Sequence, residues 1–120
     1  MNDQPFSPNK LYSFSDLIGQ ILRSPIDNNR DRFTTDAGTW EIYLEDDGAG
    51  GNDSHAFVES VGGWEELVGK KIASVDDPDD RDCGCTVTIK SDEGQTAEIT
   101  FVHEHNGYYG YSYGLSFIGA

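Results

Sequence analysis

At 120 residues the chain is long enough for one domain with a modest core, and 36% hydrophobic and 12% aromatic content argues against a disordered chain. Twenty-two acids against eight bases give a net charge of −14 and an isoelectric point near 4.2; direct nucleic-acid binding, which needs a basic patch, is thereby excluded. No apolar run is long enough to span a membrane, and Met1-Asn2-Asp3-Gln4-Pro5 lacks the basic and apolar regions of a signal peptide. A cytosolic protein with reduced Cys83 and Cys85 is expected.

Residues 1–12 read as a polar tail that docks through Phe6, Leu11 or Tyr12. Ser13 or Ser15 can cap a short helix at Asp16-Leu17-Ile18, which Gly19 ends. Gln20 to Ile26 is a strand, and Asp27 to Asp31 a turn. Arg32 to Thr35 and Thr39 to Glu45 form a hairpin around Asp36-Ala37-Gly38. A glycine-rich acidic loop, Asp46 to Asp53, leads to a strand at His55 to Val61. Gly62-Gly63 opens a second short helix, Trp64 to Val68, closed by Gly69. A strand at Lys70 to Val75 and an acidic loop at Asp76 to Asp82 follow. Cys83 to Lys90 and Gln95 to His103 make a hairpin around Asp92-Glu93-Gly94, and the tyrosine-rich stretch Tyr109 to Phe117 is the last strand.

The halves match. Phe14-Ser-Asp-Leu-Ile-Gly19 aligns with Trp64-Glu-Glu-Leu-Val-Gly69, and each leads to a strand, an acidic turn or loop and a hairpin with Gly at its turn. This predicts an α+β domain at 13–120 with a mostly antiparallel sheet, two short helices and an internal duplication of pseudo-two-fold symmetry, in halves of about 13–61 and 63–118.

Parity sets the register of the C-terminal strands, because side chains alternate between faces. Val87 and Ile89 share a face with Ala97, Ile99 and Phe101 when Val87 lies opposite Ile99 and Cys85 opposite Phe101. An Asn106-Gly107 turn then places Tyr111 opposite Val102, Tyr113 opposite Thr100 and Leu115 opposite Glu98. In that register the bare Gly110, Gly114 and Ser116 face joins the core. Tyr109, Tyr111 and Tyr113 point outward among Thr86, Thr88, Thr100, Glu98 and Glu104, as a binding surface or as a second core layer.

Cys83, Cys85, His103 and His105 fall near one hairpin end and have the character of zinc ligands, although Cys-x-Cys is a weaker signal than Cys-x-x-Cys. The loops Asp46-Asp47…Asn52-Asp53 and Asp76-Asp77-Pro78-Asp79-Asp80 offer oxygens for calcium but lack EF-hand spacing, so solvated charge is their default reading. The expectation is therefore no cofactor, with zinc and calcium as alternatives. No nucleophile elbow, phosphate loop or zinc-protease motif is present, and His55, His103 and His105 have no identifiable catalytic partner, so an enzyme is not expected.

The order Asp16-Leu-Ile-Gly19, Phe33-Thr-Thr-Asp-Ala-Gly38, Asp53-Ser-His-Ala-Phe-Val58, Glu66-Leu-Val-Gly69 and Asn106-Gly-Tyr-Tyr109 resembles a family of small uncharacterised phage and prophage proteins, across residues 14 to 117. That family has Leu-Ile-Gly twice, an Asp-Cys-Cys-Glu segment between, and Ser-Asn-Gly-Tyr-Tyr-Ser near the end. Here Ser54 and His55 stand in place of the paired cysteines, and His105 in place of the Ser before Asn-Gly. Cysteine-dependent properties of the family therefore do not carry over. The resemblance implies a viral origin and an accessory role against host defence.

The leading expectation is a non-enzymatic phage accessory protein, acting in the host cytoplasm, that binds and inhibits a host protein with a basic surface. An anti-CRISPR or other anti-defence inhibitor, with acidity that mimics DNA, fits that description. Its contacts are expected at Tyr109, Tyr111, Tyr113, Glu98 and Glu104, with Asp76, Asp77, Asp79 and Asp80 steering the approach. One alternative is a sponge for a nucleotide signal, whose base stacks on the tyrosines while His103, His105 or Arg81 meets phosphate. Another is an assembly protein that forms a homodimer through the tyrosine face.

Overall fold

The computed structural model describes residues 6–8, 10–29, 31–46, 55–77, 84–104 and 111–119; at 46, 55, 56, 103, 104, 111 and 112 it describes the backbone alone. The chain runs β1 (Leu11–Tyr12), a 3-10 turn (Phe14–Leu17), β2 (Leu22–Ser24), β3 (Arg32–Thr35), β4 (Gly38–Asp46), β5 (His55–Gly62), α1 (Trp64–Leu67), β6 (Ile72–Asp76), β7 (Gly84–Ser91), β8 (Thr96–Glu104) and β9 (Tyr111–Gly119). It is mostly antiparallel β-structure in two sheets, ordered β1-β9-β4-β3-β2 and β5-β8-β7-β6. The expected pair of helices shrinks to one 3-10 turn and one four-residue helix. Only Phe14 and Leu17, and likewise Trp64 and Leu67, have a core to enter, and one turn suffices to bury both. Among the described residues no helix is long and apolar enough to cross a membrane.

Each sheet starts from a three-strand meander, β2-β3-β4 or β6-β7-β8. The strand that follows each meander leaves it for the other sheet: β5 pairs with β8, and β9 pairs with β4. The sheets also join just before β2 and β6, through an isolated antiparallel bridge between Ile21 and Lys71. The backbone bonds around this bridge come in reciprocal pairs. Gly19 N–H donates to Ile72 O at 2.8 Å and Gly69 N–H to Leu22 O at 2.8 Å. Ile72 N–H donates to Gln20 O and Leu22 N–H to Lys70 O, while Asp36 N–H and Asp92 N–H bond the carbonyls of Ile21 and Lys71. Bulges fall between Leu22 and Ser24 and between Ile72 and Ser74.

One apolar core lies between the sheets, with Phe33, Trp40, Leu115 and Phe117 from one and Val87, Ile89, Ile99 and Phe101 from the other. The N-terminal segment docks on it, as expected. Tyr12 packs edge-on to Trp40, with ring centroids 5.7 Å apart, and Phe6 lies 4.8 Å from Trp40. Trp40 Nε1–H donates to Thr35 Oγ1 at 3.1 Å, so its one polar atom is satisfied inside the core.

The β7–β8 register is the expected one, with Val87 opposite Ile99 and Cys85 opposite Phe101. The expected β8–β9 hairpin register is corrected. Both edges of β8 are occupied, by β7 and β5, and β9 pairs with β4 and β1. Tyr113 therefore lies opposite Leu44, not Thr100, and Leu115 opposite Ile42, not Glu98. Tyr111 lies opposite Asp46, not Val102. The faces exchange accordingly. Tyr113, Leu115 and Phe117 are in the core, while Gly114 and Ser116 lie on the opposite face, where Leu11 and Tyr12 cover Gly114.

Candidate functional site: an acidic threonine face

The outer face of the β5-β8-β7-β6 sheet brings together two of the described site residues, Asp76 and Glu98. Asp76 pairs with Thr88, Thr88 with Glu98, and Glu98 with Gly62, giving one row across all four strands. The neighbouring row is Thr86, Thr100 and Ser60, and the Thr86 and Thr100 hydroxyls are 3.0 Å apart. These residues lie outward because Val87, Ile89, Ile99 and Phe101, alternating with them, fill the core. Asp76 and Glu98 are exposed.

At one end of the row a cleft of about 340 Å³ opens between Gly62, Gly63, Glu66, Thr96 and Glu98. Trp64 forms its inner support: the indole N–H donates to Glu98 O at 2.9 Å, tying α1 to β8. Glu66 lies on the exposed side of the same helical turn. Sequence reading missed this cleft, because Glu66 and Glu98 are far apart in the chain and belong to different elements. The available signal was Gly62-Gly63 directly before Trp64, since two glycines at a strand end mark a close backbone approach.

The described ion pairs are Arg32 with Glu41 at 3.2 Å and Lys70 with Glu93 at 2.7 Å. Glu66, Asp76 and Glu98 are in neither. Their charges are left to solvent or to a partner, and the face can offer carboxylates and hydroxyls to cationic and hydrogen-bonding groups.

Tyr113 is corrected as an exposed anchor. It is 7% exposed and stacks on Phe101 with centroids 4.3 Å apart and planes 10° apart. Its hydroxyl donates to Asp77 Oδ1 and accepts from the Cys85 thiol at 3.0 Å. Asp77, half-buried, is thus tied to the core at the end of β6. Burial, and then the bond to Asp77, push the Tyr113 phenol well above its ordinary value. The sign follows from linkage. An unfolded tyrosine loses its proton near pH 10 while folded Tyr113 keeps it, so stability falls above about pH 10 by ~1.4 kcal/mol per pH unit. In Tyr113→Phe the alkaline limb of a pH–stability curve should be shallower by about one proton, at a cost of about 1–2 kcal/mol at neutral pH. Denaturant melts from pH 7 to 11 measure both, and equal alkaline slopes in the two proteins would refute the assignment.

Cys85 is partly buried and spoken for by Tyr113. Cys83 and His105 lie outside the described residues, as does the His103 side chain, although its backbone pairs with Ala56. Among the described residues no group of His, Cys, Asp and Glu is arranged to hold a metal. Tyr109, Asp79, Asp80 and Arg81, the side chains of Tyr111, Glu104 and Asp46, and the remaining loop residues proposed for calcium at 47, 52 and 53 also lie outside them. No family model, no curated protein and no solved structure matches the chain.

Proposed function

We propose that this is a non-enzymatic, acidic phage accessory protein that binds and inhibits a basic host protein in the host cytoplasm, in the manner of an anti-defence inhibitor. The observation that carries the reading is the row Asp76–Thr88–Glu98–Gly62 with Glu66 beside it, carboxylates without ion-pair partners among the described residues, on a chain of charge −14. Such a face attracts lysine and arginine by steering, and its threonine hydroxyls supply the short-range bonds. A surface evolved to hold nucleic acid is its natural complement, which makes a nucleic-acid-handling defence component, such as a CRISPR effector, the favoured target class. With Tyr113 in the core, the proposal rests on this face.

The reciprocal bonds about Ile21 and Lys71 support a second part of the reading: the fold is a duplicated unit whose copies exchange their last strands about a pseudo-two-fold axis. Duplication builds a wide rigid sheet from a short chain, which suits a protein that works by presenting surface.

The test is a pull-down from host lysate at low and high salt, followed by titration of the captured protein. Binding should weaken steeply with salt. Glu66→Gln, Asp76→Asn and Glu98→Gln combined should weaken it about tenfold or more, mostly through the association rate. Salt-independent binding, or full binding by the triple variant, would overturn the reading.

A further inference from the structure

The geometry points to a second docking surface, on the pseudo-two-fold axis, whose occupant is a second copy of this chain. Four large apolar side chains are conspicuously exposed among the described residues: Leu11, Ile18, Val68 and Ile118. Two of them, Ile18 at 49% and Val68 at 39%, hold matching places. Each ends its helical turn, and each precedes a glycine of positive φ, Gly19 or Gly69, whose N–H makes one of the reciprocal bonds to the opposite half. The axis runs between Ile21 and Lys71. Leu22 and Ile72, next to them, are fully buried, so alternation turns Ile21 and Lys71 outward.

Charge identifies the occupant. A second −14 chain is repelled over most of the surface. The β2–β6 corner is where three of the cations gather: Arg23 exposed at the β2 bulge, Lys71 exposed at the bridge, and Lys70 beside it, bonded to Glu93. Arg23 and Lys71 are in no ion pair among the described residues. Around this basic and apolar centre stand the exposed carboxylates Asp16, Asp36, Glu65 and Asp92. An axis-to-axis contact buries Ile18 and Val68 of both copies and sets each copy's cations against the other's acidic rim. The surface is self-complementary, as an isologous interface must be.

Sedimentation equilibrium of the full chain, from micromolar to sub-millimolar concentration, tests this. The wild-type chain should form a reversible dimer. Ile18→Asp with Val68→Asp should weaken it about a hundredfold or more, with a melting temperature close to that of the wild type at dilutions where both are monomeric, since both positions are exposed. If that pair fails to fold, Ile18→Ser with Val68→Ser serves the same purpose. Lys71→Glu should also weaken the dimer, and Leu11→Asp with Ile118→Asp should leave it intact. A wild-type monomer at the highest concentration overturns the proposal, as does a dimer that survives loss of Ile18 and Val68 or is abolished by the Leu11 and Ile118 changes.

Discussion

Replacing Trp40 with alanine should lower stability by about 3–5 kcal/mol, a large part of the ~5–15 kcal/mol available to a domain of this size. Trp40 has no exposed surface, and it is the point where three parts of the chain meet. Phe6 and Tyr12 of the N-terminal segment pack on one side, and Phe117 of β9 lies 4.9 Å away on another. Its indole N–H satisfies Thr35 Oγ1, a buried hydroxyl that also bonds Gln20 Oε1. Alanine leaves a cavity and takes a donor from that network, and both effects act in the same direction. The N-terminal segment should loosen first, because β1 is held to β9 by only two residue pairs, Leu11 with Ser116 and Tyr12 with Leu115. Urea denaturation gives the energy, and limited proteolysis locates the loosening between Phe6 and Tyr12. A cost below about 1 kcal/mol would mean that the aromatic cluster does not hold the segment down.

Strand exchange explains both what the sequence disclosed and what it concealed. The β7–β8 register was legible because it depends on neighbours in the chain. The apolar parity of Val87 and Ile89 matches that of Ala97, Ile99 and Phe101, and the Asp92-Glu93-Gly94 turn fixes the offset. The partner of β9 was not legible. Asn106-Gly107 is a local hairpin signal, whereas the partner is set by a non-local demand. Trp40 and Ile42 on β4 need apolar neighbours, and Phe117 and Leu115 supply them. The simplest rule, that the large alternating side chains of Tyr113, Leu115 and Phe117 face the core, holds, and the assumed hairpin had overridden it.

The site divides in the same way. The threonine and glutamate face could be read from alternation within β7 and β8, since Thr86, Thr88, Glu98 and Thr100 must oppose the core residues beside them. That Asp76 would fall in the same row as Glu98 required the β6–β7 register, which a bulge between Ile72 and Ser74 shifts. The Glu66 cleft required knowing that α1 sits over β8, a contact made by the indole of Trp64. The helices were overread because a one-turn match, Phe14 to Leu17 or Trp64 to Leu67, carries the same apolar spacing whether the turn is 3-10 or α.

Gly63→Ala should be strongly destabilising, at about 3–5 kcal/mol. Gly63 has φ +77°, and a methyl group there would stand 2.3 Å from the Thr96 carbonyl oxygen and 3.2 Å from Ala97 Cα. Those are backbone atoms of β8, so no rotamer can relieve the clash; α1 must move or the strand must bend. Gly69→Ala isolates the conformational part of the cost. Its φ is +85° and an added Cβ meets nothing within 4 Å, so only left-handed strain of about 1–2 kcal/mol applies. The difference between the two variants therefore measures the approach of the helical turn to β8. The same approach builds the cleft, because Gly62 and Gly63 are its walls and Trp64 anchors Glu98 behind it. Gly63→Ala at a temperature where the protein remains folded should thus weaken partner binding as well as stability, whereas Gly69→Ala should leave binding intact. Denaturant melts and binding titrations on both variants measure this. Equal destabilisation by the two substitutions would show that the α1–β8 contact is not tight enough to shape the site.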